Sequence, residues 1–382
     1  MDRNKIYQEP PLTKYLLNKA GSRHIPLTGT FELSPVCNFD CKMCYVHQSQ
    51  KEVDSHYRPI VRLEQWLELA RQAREQGLLY LLLTGGEPFL YPHFWELYEQ
   101  LVEMGFLISI NTNGSMITRK VIDRLCKMPP IRINITLYGA SNSTYKALCG
   151  IDGAFDRVDQ AIMGLKEAGI PLKLNCSLTP HNVGDLEAMV RYAEQRELIL
   201  DATAYMFPPL RRRPDMVGTN DRFTPREAAM YTVQTYRLQH DQAQYRQYLQ
   251  MLSQGIRPVP GLDESCVDPI DGKVRCRAGK AAFWITWDGF MTPCGMMPEP
   301  KTDLYDRSFA QAWQETVEKA AALALSGICR TCGNRDMCHS CAAMALTETG
   351  TASGVPRYLC EMILEMKKLA EEELKMLDLA VV

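Results

Sequence analysis

The 382-residue sequence has no long apolar run. The longest, 78–83, falls far short of the roughly 20 residues that span a bilayer, so no membrane helix is expected. Charge of one sign is also missing: 43 basic side chains stand against 45 acidic ones, for a net charge of −2. That balance argues against nucleic acid as a partner, because proteins that hold polyanions by bulk electrostatics carry a basic stripe. The one dense basic run, Arg211 to Arg213, is short and reads most simply as a solvated loop. The first twenty residues mix Asp, Arg, Lys and Glu without an apolar stretch, so they do not form a secretory signal, and a cytoplasmic location is expected. Internal repeats and low-complexity tracts are absent as well, which excludes solenoids and arrays.

Cysteine, by contrast, is plentiful, with fourteen residues. A chain of this length buries about three quarters of its unfolded surface and has no need of covalent staples. In a reducing compartment, clustered cysteines hold metals more often than they form disulfides.

Apolar runs of strand length occur at 31–36, 79–83, 106–110, 131–137, 172–179 and 198–206. Between them, helical spacing appears at 63–75, 94–104, 118–126, 155–168 and 183–194. This alternation predicts βα units around a parallel sheet, with Gly77, Gly105 and Gly169 ending helices. Two of the strands alternate strictly. Ile131, Ile133, Ile135 and Leu137 oppose Arg132, Asn134, Thr136 and Tyr138, while Leu172, Leu174, Cys176 and Leu178 oppose Lys173, Asn175, Ser177 and Thr179. Parallel strands covered on both faces should be apolar on both, so a polar face predicts a barrel-like lumen that receives a polar ligand. After Pro208 the pattern breaks into a helical segment over 225–252. Beyond it come a hairpin at Asp288-Gly289, a helix over 309–325 and a charged amphipathic helix over 357–377.

Cys37, Cys41 and Cys44 form C-x3-C-x2-C just after the first strand. Three thiolates on one loop can ligate three irons of a cubane and leave the fourth open to a substrate. A structural zinc site would want a fourth ligand, for which His47 is the only nearby candidate.

These cysteines come before Thr84-Gly85-Gly86-Glu87-Pro88 after strand two and Asn111-Thr112-Asn113-Gly114 after strand three. In that order and βα placement the chain resembles the radical S-adenosylmethionine (SAM) enzymes over roughly 31–207. The resemblance implies an α/β fold, a partial (β/α)6 barrel of the radical SAM type. It implies a SAM-binding 4Fe-4S cluster on Cys37, Cys41 and Cys44 and SAM as cofactor. It also implies reductive cleavage of SAM to a 5'-deoxyadenosyl radical that abstracts a substrate hydrogen. Gly85 and Gly86 would let backbone approach SAM closely, Glu87 would take its ammonium group, and Asn113, Thr136 and Ser177 would bond the ribose. The sequence departs from the family in two places. Met43 stands where an aromatic residue commonly precedes the third ligand. Cys149 stands where many relatives place an Arg for the SAM carboxylate, leaving Arg132 or Lys173 as substitutes.

The remaining clustered cysteines are Cys276, Cys294, Cys329, Cys332, Cys338, Cys341 and Cys360, with Cys266 upstream. Paired C-x2-C motifs alone suggest a zinc ribbon, but the five-residue gap is short and three cysteines would be left over. The region resembles the SPASM extension of radical SAM enzymes, which opens, as here, with Cys276-Arg277-Ala278-Gly279. Between Cys338 and Cys341 there are two residues where the family usually has three. By that resemblance Cys276, Cys294 and Cys341 hold one auxiliary cluster, with Cys266 a candidate fourth ligand. Cys329, Cys332, Cys338 and Cys360 would hold a second. The implied organisation is an N-terminal extension (1–30), the barrel (31–207), a helical linker (208–262) and a smaller cysteine-rich C-terminal domain (263–382). Cys126 and Cys176 read as small core residues.

Relatives with this extension modify peptides, mature sulfatases or make cofactors. Gly295 follows Cys294 where sulfatase-maturing relatives carry an Asp that serves as base, which weakens that reading. The leading expectation is therefore oxidation or cross-linking of a ribosomally made peptide, with a flavodoxin- or ferredoxin-type electron donor and an acidic leader docking at Arg211 to Arg213. The alternatives are small-molecule or haem-precursor modification and a non-catalytic, zinc-stabilised binding protein. No catalytic acid or base is assigned.

Overall fold

A computed structural model describes residues 11–257 and 276–379. Cys266 lies outside them. Six strands, β1 (Thr28–Glu32), β2 (Tyr80–Thr84), β3 (Leu107–Thr112), β4 (Arg132–Thr136), β5 (Leu172–Ser177) and β6 (Leu200–Thr203), lie in sequential order, each parallel to the next. Helices Leu63–Glu75, Phe94–Glu103, Arg119–Lys127, Ala154–Glu167 and Leu186–Gln195 make the crossovers. Gly77, Gly105 and Gly169 follow three of them with φ of 104°, 88° and 70°. Such left-handed backbone ends a helix at little cost only in glycine.

The period-2 alternation sorts the strands' two faces as the sequence implied. Phe31, Leu83, Ile110, Ile135 and Leu174 are fully buried beneath the helices, and Phe31 stacks on Trp66 at 4.6 Å. The other face carries Asn111, Asn134, Thr136, Lys173, Asn175 and Ser177, most of them half-buried. Asn134 Nδ2 donates to Asn111 Oδ1 at 2.8 Å, and Lys173 Nζ to Asp201 Oδ2 at 2.6 Å. Helices cover one face only, and the polar face lines a partial, barrel-like lumen.

The sheet does not end with these six strands. β7 (Ala282–Ile285) pairs parallel with β1, and β8 (Phe290–Thr292) and β9 (Thr302–Asp303) extend it antiparallel, for the order β6-β5-β4-β3-β2-β1-β7-β8-β9. Gly29 makes the junction possible, because a Cβ there would meet the Phe283 ring at 2.3 Å. The segment 225–252 is two helices, Pro225–Gln239 and Gln242–Ser253, not one. Asp241 breaks it by taking extended backbone and capping the second helix in a reciprocal box with Gln244. Both helices pack on the terminal helix Arg357–Leu379, where Tyr245 Oη donates to Glu373 at 2.6 Å. Among the described residues no helix is long and apolar enough to cross a membrane.

Candidate functional site

The loops after β1, β2 and β3 meet at one end of the barrel. Gly86 N–H donates to Ser34 O at 2.7 Å and Glu87 N–H to Val36 O at 3.0 Å, so the turn after β2 is bonded to the chain just ahead of Cys37. A Cβ on Gly85 would lie 2.4 Å from Ser34 O, and one on Gly86 2.4 Å from Val36 O. The close approach that requires both glycines is therefore to the cysteine-bearing loop.

Glu87 is fully buried and ties that turn to the end of β3. Its carboxylate accepts from Thr112 Oγ1 at 2.9 Å, Asn113 N–H at 2.9 Å and Phe89 N–H at 3.2 Å. Burial pushes the carboxyl up to about 7 despite these donors. Asn113 in turn braces the cysteine loop: its Nδ2 reaches Asn38 Oδ1 at 2.9 Å and Cys37 Sγ at 3.6 Å, and its Oδ1 accepts from Ser115 Oγ at 2.6 Å. Thr136 and Ser177 end β4 and β5 on the lumen face, half-buried, their hydroxyls without a protein hydrogen-bond partner among the described residues. They are the two sequence-derived SAM contacts left with hydrogen-bonding capacity to spare. Arg132 and Lys173 do not serve the mouth as expected. Arg132 is an exposed residue at the far end of β4, about 13 Å of strand from Thr136, and Lys173 is engaged by Asp201.

Cys37, Cys41 and Cys44 lie within electrostatic range of one another. Cys37 Sγ accepts from Phe39 N–H at 3.4 Å and Cys44 Sγ from His47 N–H at 3.2 Å. Burial pushes the Cys37 thiol up to about 12 and raises Cys44 as well. Cys41 is raised first by its contact with Cys149 and then by burial. Among the described residues no three Cys, His, Asp or Glu side chains close on one ion position. Cys37 and Cys44 accept backbone N–H bonds, and three thiolates on one loop would hold a cubane with one iron left open.

The Radical SAM superfamily model matches residues 31–193, the span from β1 through the helix before β6. The chain carries a radical SAM domain. The AdoMet-dependent heme synthase of Methanosarcina barkeri is 22% identical over 84% of this chain and 92% of its own. Mycofactocin maturase MftC of Mycobacterium tuberculosis is 24% identical over 88% of this chain and 83% of its own. Among solved structures, anSMEcpe with bound AdoMet and Cp18Cys peptide superposes with a TM-score of 0.65 at 16% identity, covering 94% of this chain and 100% of that one.

Beyond the radical SAM domain the described C-terminal cysteines lie near one another in two sets. Cys341 is pushed up to about 12 by burial, with Cys276 and Cys294 adding to the effect, and Cys276 raises Cys294 likewise. Cys329 and Cys360 each sense Cys338 and Cys332. The short step from Cys338 to Cys341 still sends these two thiols to different groups. Between them His339 takes left-handed backbone, φ 49°, and its Nε2 lies 3.0 Å from Arg257 O. Two expectations about leftover thiols divide: Cys176 is buried against Met189, but Cys126 is exposed at the end of its helix and is no core residue.

Arg211 overturns the docking expectation. It is a buried cation, bidentate to Glu32 at 2.7 and 2.8 Å and donating to Gly295 O at 2.9 Å, so it cannot receive a leader. Trp284 Nε1 donates to the same Glu32 carboxylate at 2.8 Å. Arg212 stands 3.8 Å from Asp40 and Arg213 pairs with Asp215. Sequence reasoning missed this knot, although a Glu inside an apolar strand was a signal for it. The knot joins β1, the linker and the hairpin loop, and Tyr45 packs there within range of both Cys44 and Cys294. A Cβ on Gly295 would strike the Trp284 ring at 2.7 Å, so the backbone is closed to a side chain at that position.

Proposed function

We propose that this radical SAM enzyme oxidises or cross-links a ribosomally made peptide. Cys37, Cys41 and Cys44 hold the SAM-binding 4Fe-4S cluster. Cys276, Cys294 and Cys341 hold one auxiliary cluster, and Cys329, Cys332, Cys338 and Cys360 hold another. What supports this reading is that Cys276, Cys294 and Cys341 lie near one another, as do Cys329, Cys332, Cys338 and Cys360, with Tyr45 near both Cys44 and Cys294. When bound, these groups supply the electron that cleaves SAM to methionine and a 5'-deoxyadenosyl radical, and accept the electron left behind after hydrogen abstraction. The chain's own residues position: Thr136 and Ser177 offer hydroxyls to the ribose, and Glu87 and Asn113 fix the cysteine loop. Cys266 remains the candidate fourth ligand of the first auxiliary group. A flavodoxin- or ferredoxin-type protein would deliver electrons. Support for a peptide comes from MftC, a maturase, and from the peptide held by anSMEcpe.

A second reading, modification of a haem precursor, is favoured by the heme synthase match over most of both chains. Anaerobic incubation of the reconstituted enzyme, SAM and reductant with short peptides encoded beside its gene separates the two. A peptide mass lower by two hydrogens supports the first reading. Unchanged peptides with a converted haem precursor support the second. About twelve irons per chain are expected if all three clusters are cubanes, and mainly zinc would favour a non-catalytic binding protein instead.

A further inference from the structure

We propose that the carboxamides of Asn111 and Asn175 bind main-chain amides of the peptide substrate inside the barrel, with Asn134 holding Asn111 in its donating orientation. The proposal deepens the peptide-modifying reading and rests on it. All three side chains stand on the lumen face, on the neighbouring strands β3, β4 and β5. Asn111 pairs in register with Asn134, and Asn175 with Thr136. Asn134 is 7% exposed, and its Nδ2 donates to Asn111 Oδ1 at 2.8 Å. With Oδ1 engaged in this way, Asn111 presents its Nδ2 as a donor that has no acceptor among the described residues. The half-buried Asn175 makes no side-chain hydrogen bond to the described residues.

Two observations set this row apart from packing. Asn134 Oδ1 is buried without a protein donor among the described residues, a cost that an apolar side chain at the same place would avoid. The row is also neutral. Lys173 beside it is held by Asp201 at 2.6 Å, and Arg132 lies exposed at the other end of β4. A phosphate or a polycarboxylate would call for an unpaired cation in such a place. A carboxamide instead offers N–H donors and one C=O acceptor, the pair of functions that a peptide group presents. Asn111 and Asn175 stand roughly 12 Å apart, two strand spacings across and two residues along, a span of roughly three to four residues of extended peptide. Asn175 lies across from Thr136 and two residues before Ser177, so a peptide on this row runs beside the hydroxyls assigned to the ribose.

The test is steady-state kinetics of the full, reconstituted chain under anaerobic conditions, with SAM, reductant and the gene-neighbouring peptide that loses two hydrogens. Asn134→Leu should raise the KM for that peptide about tenfold and Asn175→Ala about threefold, with kcat within about twofold of the parent. Iron per chain should match the parent, as should the Kd for SAM measured by equilibrium dialysis on the oxidised enzyme without peptide. A purely structural role would lower iron content or SAM affinity together with turnover and leave KM unmoved. Asn175→Ala breaks no hydrogen bond to the described residues, so it decides the question if Asn134→Leu fails to fold. Parent KM values in both variants, or in Asn175→Ala where Asn134→Leu does not fold, overturn the proposal. So does a weaker Kd for SAM at parent KM, which would make the row part of the SAM site. A parent chain that converts a haem precursor and leaves every peptide unchanged removes the underlying reading and the proposal with it.

Discussion

The buried pair Glu32–Arg211 offers the sharpest structural test. Arg211 is buried, its ion-pair partner among the described residues is Glu32, itself 1% exposed, and its other hydrogen bond goes to the neutral Gly295 O. Glu32→Gln leaves the guanidinium buried without its counter-charge, and Arg211→Met does the same to the carboxylate. Breaking one partner of such a pair costs about 3–5 kcal/mol. Unfolding entropy of about 2.1 cal/mol/K per residue makes that a fall in Tm of about 4–6 °C for a chain this long. The double variant Glu32→Gln/Arg211→Met should lose clearly less than the two single losses together, because the second change removes the orphaned charge. Arg212→Glu and Arg213→Glu, whose partners are exposed, should shift Tm by less than about 1 °C by the same conversion. The assay is thermal unfolding under nitrogen, followed by circular dichroism. Single variants within 1 °C of the parent, or strictly additive losses, would refute the argument that Arg211 is a buried structural cation.

Two further outcomes follow from the loops. Gly86→Ala places a methyl 2.4 Å from Val36 O, so it should cost about 1–3 kcal/mol and lower iron uptake by the first centre, seen as reduced iron per chain after reconstitution. Glu87 titrates near 7 when folded and near 4.5 when unfolded, so its contribution is full below pH 4.5 and is lost as pH rises to 7. Urea unfolding of the metal-free chain between pH 5 and 8 should show about 3 kcal/mol of such loss, absent in Glu87→Gln. Parallel profiles for the two proteins would show that the carboxyl is not perturbed.

The six parallel strands were legible because helices cover one face only, so Ile133 and Ile135 alternate visibly with Asn134 and Thr136. The first centre was legible because its three cysteines lie within eight residues of one loop. The β1–β7 pairing was not, since four residues beginning at Ala282 carry no signal that Gly29 is bare enough to admit Phe283. Arg211 and Glu32 stand 179 positions apart, and a basic run reads as surface until the buried carboxylate opposite it is seen. Cys126 was misread for a related reason. Helical spacing near a helix end does not fix which side of the last turn faces the core, and Cys126 came out exposed. The glycines of the turn after β2 were recognised by motif, but their steric partner, the backbone of residues 34–36, appears only in three dimensions.

The central claim is that Cys37, Cys41 and Cys44 hold a cluster that cleaves SAM. Its most direct test is 5'-deoxyadenosine formation by the anaerobically reconstituted enzyme with dithionite and SAM. The account predicts 5'-deoxyadenosine and methionine from the parent chain and none from Cys41→Ala. Equal yields from both, or no product from a parent chain that carries its iron, would contradict it.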